Sequence, residues 1–172
     1  MRRKLKPFLA HLPKGSRVLD IGSGGGLATS VLLEMGMEVV PLDIQNGAYN
    51  SQVVPVIYDG NQIPFNDQSF DAALLLTVLH HIDEPTPVLK EAYRVANSVL
   101  IIEDIYTNVF QRYFTFLADS IVNLFYSPCP HTNKSDSEWK KLFVELEMNL
   151  ISSKKQPLGG LFLQAYYVLK HR

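Results

Sequence analysis

The sequence predicts an α/β fold: a doubly wound, seven-stranded sheet, mostly parallel, with an antiparallel hairpin at the C-terminal end. Three observations predict it. Residues 18–26 read V-L-D-I-G-S-G-G-G, an apolar run that ends in an acid and passes straight into glycines. Four further apolar, strand-favouring runs alternate with helix-compatible or polar stretches up to residue 103. Two last strand-like runs, 150–155 and 161–169, flank Pro157-Leu158-Gly159-Gly160, a hairpin signal.

The elements follow in order. Residues 3–12 read as a short amphipathic helix with Leu5, Phe8, Leu9 and Leu12 on one face, ended by Pro13-Lys14-Gly15-Ser16. Arg17–Ile21 is the first strand, and Leu27–Met35 the helix after the glycines. Glu38–Asp43 is the second strand, followed by a short polar stretch, 44–52, that supports at most a weak helix. Val53–Tyr58 and Phe70–Thr77 are the third and fourth strands, Pro85–Val95 a helix, and Ser98–Glu103 the fifth strand. Val109–Tyr126 carries aromatics at helical spacing, and Ser127–Lys134 reads as a loop. Ser135 and Glu138 form a capping-box pair that opens a helix through Trp139, Leu142, Phe143 and Leu146. The whole, 1–172, is expected to be one domain: an N-terminal helix (1–15), a half that carries the glycine turn (16–104) and a C-terminal half (105–172).

Composition narrows the partners. Hydrophobic residues are 47% and charged residues 19%, and no apolar stretch reaches membrane-spanning length. A single cysteine, Cys129, excludes an internal disulfide and fits a cytoplasmic location. Residues 18–133 hold thirteen acids against three bases (Lys90, Arg94, Arg112), which argues against a nucleic-acid groove there. Ordinary solubility is the first account of that charge, and such a centre would also suit a cationic ligand.

The glycines sit at a strand-to-helix turn, where their backbone N–H groups can lie directly against a ligand. Asp20, Gly22, Gly24 and Gly26 give D-x-G-x-G-x-G. The dinucleotide fingerprint G-x-G-x-x-G needs a third glycine where this chain has Leu27. The alternating spacing, with an acid two residues before the first glycine, resembles motif I of the class I S-adenosylmethionine-dependent methyltransferases, a Rossmann-like family. The resemblance extends to the small-molecule, type 11-like branch through Asp59-Gly60-Asn61, Ile63-Pro64-Phe65, Ser69-Phe70-Asp71 and the segment Val78-Leu79-His80-His81.

That resemblance implies S-adenosylmethionine as cofactor and a methyltransferase enzyme as the function. Asp20, Gly22, Ser23, Gly24 and Gly26 would anchor the amino-acid end of the cofactor. Asp43 would hold the ribose with Ile44 beside it, Asp59, Gly60 and Asn61 would take the adenine, and Leu76 and Thr77 would border the methionine part. His80 and His81 are candidate bases at the substrate entrance, with Tyr106 and His131 as substrate-side residues. Each assignment has a plainer counterpart: a cap for Asp43, a turn for Asp59-Gly60, and a hydrogen-bonding role for the histidines. Asp71 reads as structural. No zinc-like spacing joins Cys129, His131, His80 and His81, so no metal is expected. The Asn/Asp-Pro-Pro-aromatic motif of nucleic-acid and amide methylation is missing after the fourth strand, so a small-molecule acceptor is expected.

The short 44–58 stretch and short N-terminal lead predict an open site, or one that a homodimer mate or partner chain completes. Two other functions stay open: a non-catalytic S-adenosylmethionine-binding regulatory or scaffold domain, and an NAD-dependent oxidoreductase.

Overall fold

The structure, a computed structural model, describes residues 1–106, 133–158 and 162–171. The expected aromatic helix 109–126, most of the 127–134 loop with Cys129 and His131, and Gly159-Gly160 lie outside the described residues.

The strands are β1 (Arg17–Ile21), β2 (Glu38–Asp43), β3 (Val56–Ile57), β4 (Ala72–Leu76), β5 (Ser98–Ile105), β6 (Asn149–Leu158) and β7 (Phe162–Lys170). They form one seven-stranded sheet in the order β3-β2-β1-β4-β5-β7-β6. The first five run parallel, and β7 joins β5 antiparallel and pairs antiparallel with β6. Strand order reverses between β1 and β4, so the carboxyl ends of β1, β2 and β4 share the crevice where doubly wound sheets bind ligands.

Both faces are covered, which is why β1, β4 and β5 are built on continuous apolar runs rather than alternating ones. On one face α3 (Pro85–Val95) and α4 (Asp136–Glu145) pack Leu89, Trp139 and Phe143 onto Ile21, Leu75 and Ile101. On the other, α1 (Arg2–Leu5), a 3-10 turn (Lys6–His11) and α2 (Leu27–Glu34) pack Leu5, Phe8 and Leu32 onto Val18, Leu74 and Leu100. The capping box opens α4 as expected: Ser135 Oγ accepts the Glu138 N–H, and Glu138 Oε2 accepts the Ser135 N–H at 2.7 Å.

Two elements differ from the sequence expectation. The N-terminal helix is one α turn followed by 3-10 turns, because Pro7 offers no N–H and its ring crowds the preceding turn. The third strand is two residues rather than six. Pro55 immediately before it cannot donate to a ladder, and β3 is the sheet's edge. No helix forms between β2 and β3. Asn46 Oδ1 accepts the Ala48 N–H and Asn50 Oδ1 the Gln52 N–H, local bonds that compete with a helix.

Candidate functional site

The glycine turn is held open by backbone geometry and closed by one carboxylate. Gly22, Gly24 and Gly26 all have positive φ (+68°, +50°, +77°), which only glycine adopts without strain. Gly22 and Ser23 both donate to the Leu42 carbonyl, and Gly26 donates to the Ser23 carbonyl. Gly24 donates to Asp43 Oδ2 at 2.8 Å, while Asp43 Oδ1 accepts the Ile44 N–H at 2.8 Å and the Gln45 N–H at 3.4 Å. A side chain on Gly24 would meet nothing within 4 Å, so open space faces that glycine.

Asp20 lies beneath the turn. It is 2% exposed, and Thr29 Oγ1 of α2 donates to its Oδ2 at 2.6 Å. Burial pushes its carboxyl up to about 6, with the Thr29 bonds opposing and the charge of Asp43 adding to the rise.

Asp59 caps its own turn. Its Oδ1 accepts the amides of Asn61 (2.9 Å) and Gln62 (3.2 Å), and these bonds hold its carboxyl below the usual range. Gly60 supplies φ +82°, and a Cβ there would lie 3.5 Å from the exposed Ile44. Ile44 and Gly60 are therefore neighbours. The following block is pinned by Arg94 of α3, which donates to the carbonyls of Ile63 and Phe65 and pairs with Glu91 and Asp67. This block and the end of β3 border an open groove of about 880 Å³ lined by Tyr58, Asp59, Ile63 and Arg94, among others.

The carboxyl end of β4 completes the crevice. Thr77 has φ +56°, donates its N–H to the Ile102 carbonyl and its hydroxyl to the Leu76 carbonyl. Leu76 and Thr77 are half-buried. Val78 packs on Gly22, where an added Cβ would come within 2.7 Å of its Cγ2. His80 is buried (3% exposed) in a 3-10 turn, Leu79–His81, with its Nδ1 2.6 Å from Glu103 Oε2. His81 is exposed, its ring 4.1 Å from that of His80. Of the two histidines, His80 is the buried one. Tyr106 donates its hydroxyl to Glu138 Oε2 at 2.9 Å, which ties it to the α4 cap. Asp71 stands away from the site at the amino end of β4, accepting the Arg17 N–H at 2.8 Å.

The family model described as "Methyltransferase domain" matches residues 19–99, a span that runs from β1 through the glycine turn to β5. A demethylmenaquinone methyltransferase of Renibacterium salmoninarum is 32% identical over 100 residues, covering 55% of this chain and 42% of the relative. A ubiquinone biosynthesis O-methyltransferase of Xanthomonas axonopodis pv. citri is 28% identical over 89 residues, covering 45% of this chain and 37% of the relative. Residues 19–99 are thus similar to a methyltransferase domain. Among solved structures, a putative methyltransferase from Bacillus halodurans shares the fold with a TM-score of 0.76 at 17% identity, over 99% of both chains. The matched segment spans less than half the length of the two quinone-pathway relatives.

Within this fold, three contacts escape a reading by motif. Glu103 is fully buried on β5, and its only sequence signal is an acid inside the apolar run V-L-I-I-E-D-I. Tyr49 donates its N–H to the Gly25 carbonyl and lays its ring where a Gly25 side chain would stand, 2.2 Å from an added Cβ. The Arg94–Glu91 pair reads in sequence as ordinary helix surface, yet it anchors the 63–67 block. Tyr166 and Lys170, spaced four apart like an oxidoreductase's tyrosine–lysine pair, lie on β7 with Tyr166 packed against Phe8. Among the described residues no group of His, Cys, Asp and Glu could hold a metal, and no helix is long and apolar enough to cross a membrane.

Proposed function

We propose that this chain binds S-adenosylmethionine in the crevice at the carboxyl ends of β1, β2 and β4 and transfers its methyl group to a small-molecule acceptor. The observation that carries the proposal is the bond from Gly24 to Asp43. It places a carboxylate, already organised by three amides, against a glycine turn that faces open space. A carboxylate offers about four acceptor sites, so Asp43, with three filled, retains room to accept a ribose hydroxyl. The residues therefore fit the cofactor.

In this reading the Gly22–Gly26 backbone holds the amino-acid end, with buried Asp20 supplying negative charge beneath it. Asp43 orients the ribose. Ile44 and Gly60 bracket the adenine, and Asp59 and the Asn61 amide lie at its rim. The bound cofactor supplies a methyl group on a sulfonium, a good leaving group. Positioning then supplies much of the rate, and the chain's task is to align the acceptor and exclude competing water. His80 and His81 are the candidates for moving an acceptor proton, and Tyr106 and His131 for lining the acceptor side. The quinone-pathway relatives favour a small, largely apolar acceptor over nucleic acid or protein.

Calorimetric titration with S-adenosylhomocysteine and, separately, NAD tests the cofactor. Micromolar binding of the first and none of the second is expected. Turnover of S-adenosylmethionine is then measured with small oxygen, nitrogen and carbon nucleophiles, demethylmenaquinone among them. Binding without turnover on any acceptor would favour a regulatory domain, and preferential NAD binding would sink the proposal.

A further inference from the structure

Glu103 is a carboxylate with no solvent exposure, carried on β5 directly after the apolar run Val99–Ile102, and its hydrogen bonds run to the turn after β4. Its Oε1 accepts the amides of Val78 (2.9 Å) and Leu79 (2.8 Å), and its Oε2 meets His80 Nδ1 at 2.6 Å. Val78 in turn packs its two γ-methyl groups on Gly22 of the glycine turn. Thr77, just before, has the positive φ that a β-branched residue adopts only when its surroundings hold it there. A buried acid is expensive unless fully hydrogen-bonded, and here the bonds converge on the one segment that joins β4 to the glycine turn.

We infer that Glu103 is the positioning residue of this crevice: its carboxylate fixes Val78 against Gly22 and sets the proton of His80 on Nδ1. The assignment rests on the methyl-transfer reading for its functional consequence, while the geometry it describes belongs to the unliganded chain. An ionised carboxylate only accepts, so the nitrogen facing it must carry hydrogen. A neutral His80 then has Nε2 as its lone-pair atom, the tautomer a proton acceptor needs. Glu103 thereby does two separable things, one through the backbone and one through the ring.

Glu103→Gln separates them. The amide oxygen of glutamine can still accept from Val78 and Leu79. Its NH2 then faces His80 and demands an acceptor there, which moves the ring proton to Nε2. The opposite orientation would set an NH2 against two buried amide donors, so the oxygen stays with the backbone. Glu103→Ala removes both functions.

The test combines ¹⁵N-detected ring spectra of His80, recorded on the ligand-free full chain, with S-adenosylhomocysteine titration of wild type, Glu103→Gln and Glu103→Ala. A protonated Nδ1 in wild type and a protonated Nε2 in Glu103→Gln are expected. Affinity should stay within about threefold in Glu103→Gln and fall at least tenfold in Glu103→Ala. A His80 proton that does not move in Glu103→Gln overturns the inference, and so does an unchanged affinity in Glu103→Ala. If Glu103→Ala does not fold, Glu103→Gln decides alone through tautomer and affinity. Wild type that binds no S-adenosylhomocysteine overturns the functional reading, and the ligand-free ring spectra still decide whether Glu103 sets the tautomer.

Discussion

Asp43 Oδ2 accepts the Gly24 N–H at 2.8 Å, so the acid at the end of β2 and the glycine turn after β1 form one unit before any ligand arrives. Asp43→Ala is expected to weaken S-adenosylhomocysteine binding about 10- to 100-fold, the equivalent of about 1.5–3 kcal/mol for lost bonds to a charged group. Asp43→Asn keeps one carbonyl oxygen and should fall between. Asp71→Ala is the control: it too loses a bond to an amide, that of Arg17, but at the opposite end of the sheet. It should lower the melting temperature and leave the affinity within about twofold, as judged by calorimetry on both variants. Equal affinity losses in Asp43→Ala and Asp71→Ala would assign the effect to global destabilisation.

The glycine turn was legible because local chemistry dictates it: an apolar run, an acid and glycines leave few alternatives to a strand, a turn and a helix. β2 and α3 were legible to the residue for the same reason, since apolar spacing and a terminal acid or proline mark their ends. β3 was overread because Val53, Val54 and Val56 look like strand and the cost of Pro55 depends on lying at an edge, a tertiary fact. Glu103, Tyr49 and Arg94 were missed for a different reason. Each acts on a segment between 23 and 31 residues away, and no local pattern encodes such a distant pairing.

Glycines 22 and 25 are expected to respond differently to the same methyl group. At Gly22 an alanine faces a positive φ and two Val78 carbons within 2.8 Å, and Val78 is itself held by Glu103. Gly22→Ala should cost about 2–4 kcal/mol from backbone strain and overpacking together. At Gly25 the obstacle is the Tyr49 ring, which is 84% exposed and can swing into solvent. Gly25→Ala should therefore cost less than about 1 kcal/mol, and adding Tyr49→Ala should remove most of that cost. Urea unfolding of the three variants measures this. Comparable costs at the two glycines would show that the 44–50 loop is as rigid as the turn beneath it.

Asp20 gives the site a pH signature whose sign is fixed by its burial. Its carboxyl is raised from 3.8 to about 6 in the folded chain, so the native state holds a proton that the unfolded state releases. Its stabilising contribution is complete below about pH 4 and is lost as pH rises through about 6. Asp20→Asn cannot ionise and escapes that loss. It should match wild type near pH 4 and exceed it by up to about 3 kcal/mol at pH 7.5 in denaturant unfolding. A gap that stays constant across this range would mean that Asp20 does not titrate there. Ligand binding should reverse the preference. A cation above the glycine turn favours the ionised carboxylate, so S-adenosylmethionine affinity should tighten as pH rises from about 5 to 7, with proton release measurable near pH 6. In Asp20→Asn that dependence should flatten and the affinity at pH 7.5 should fall. The chain would then be trading stability at neutral pH for a negative charge held where a cationic ligand needs it.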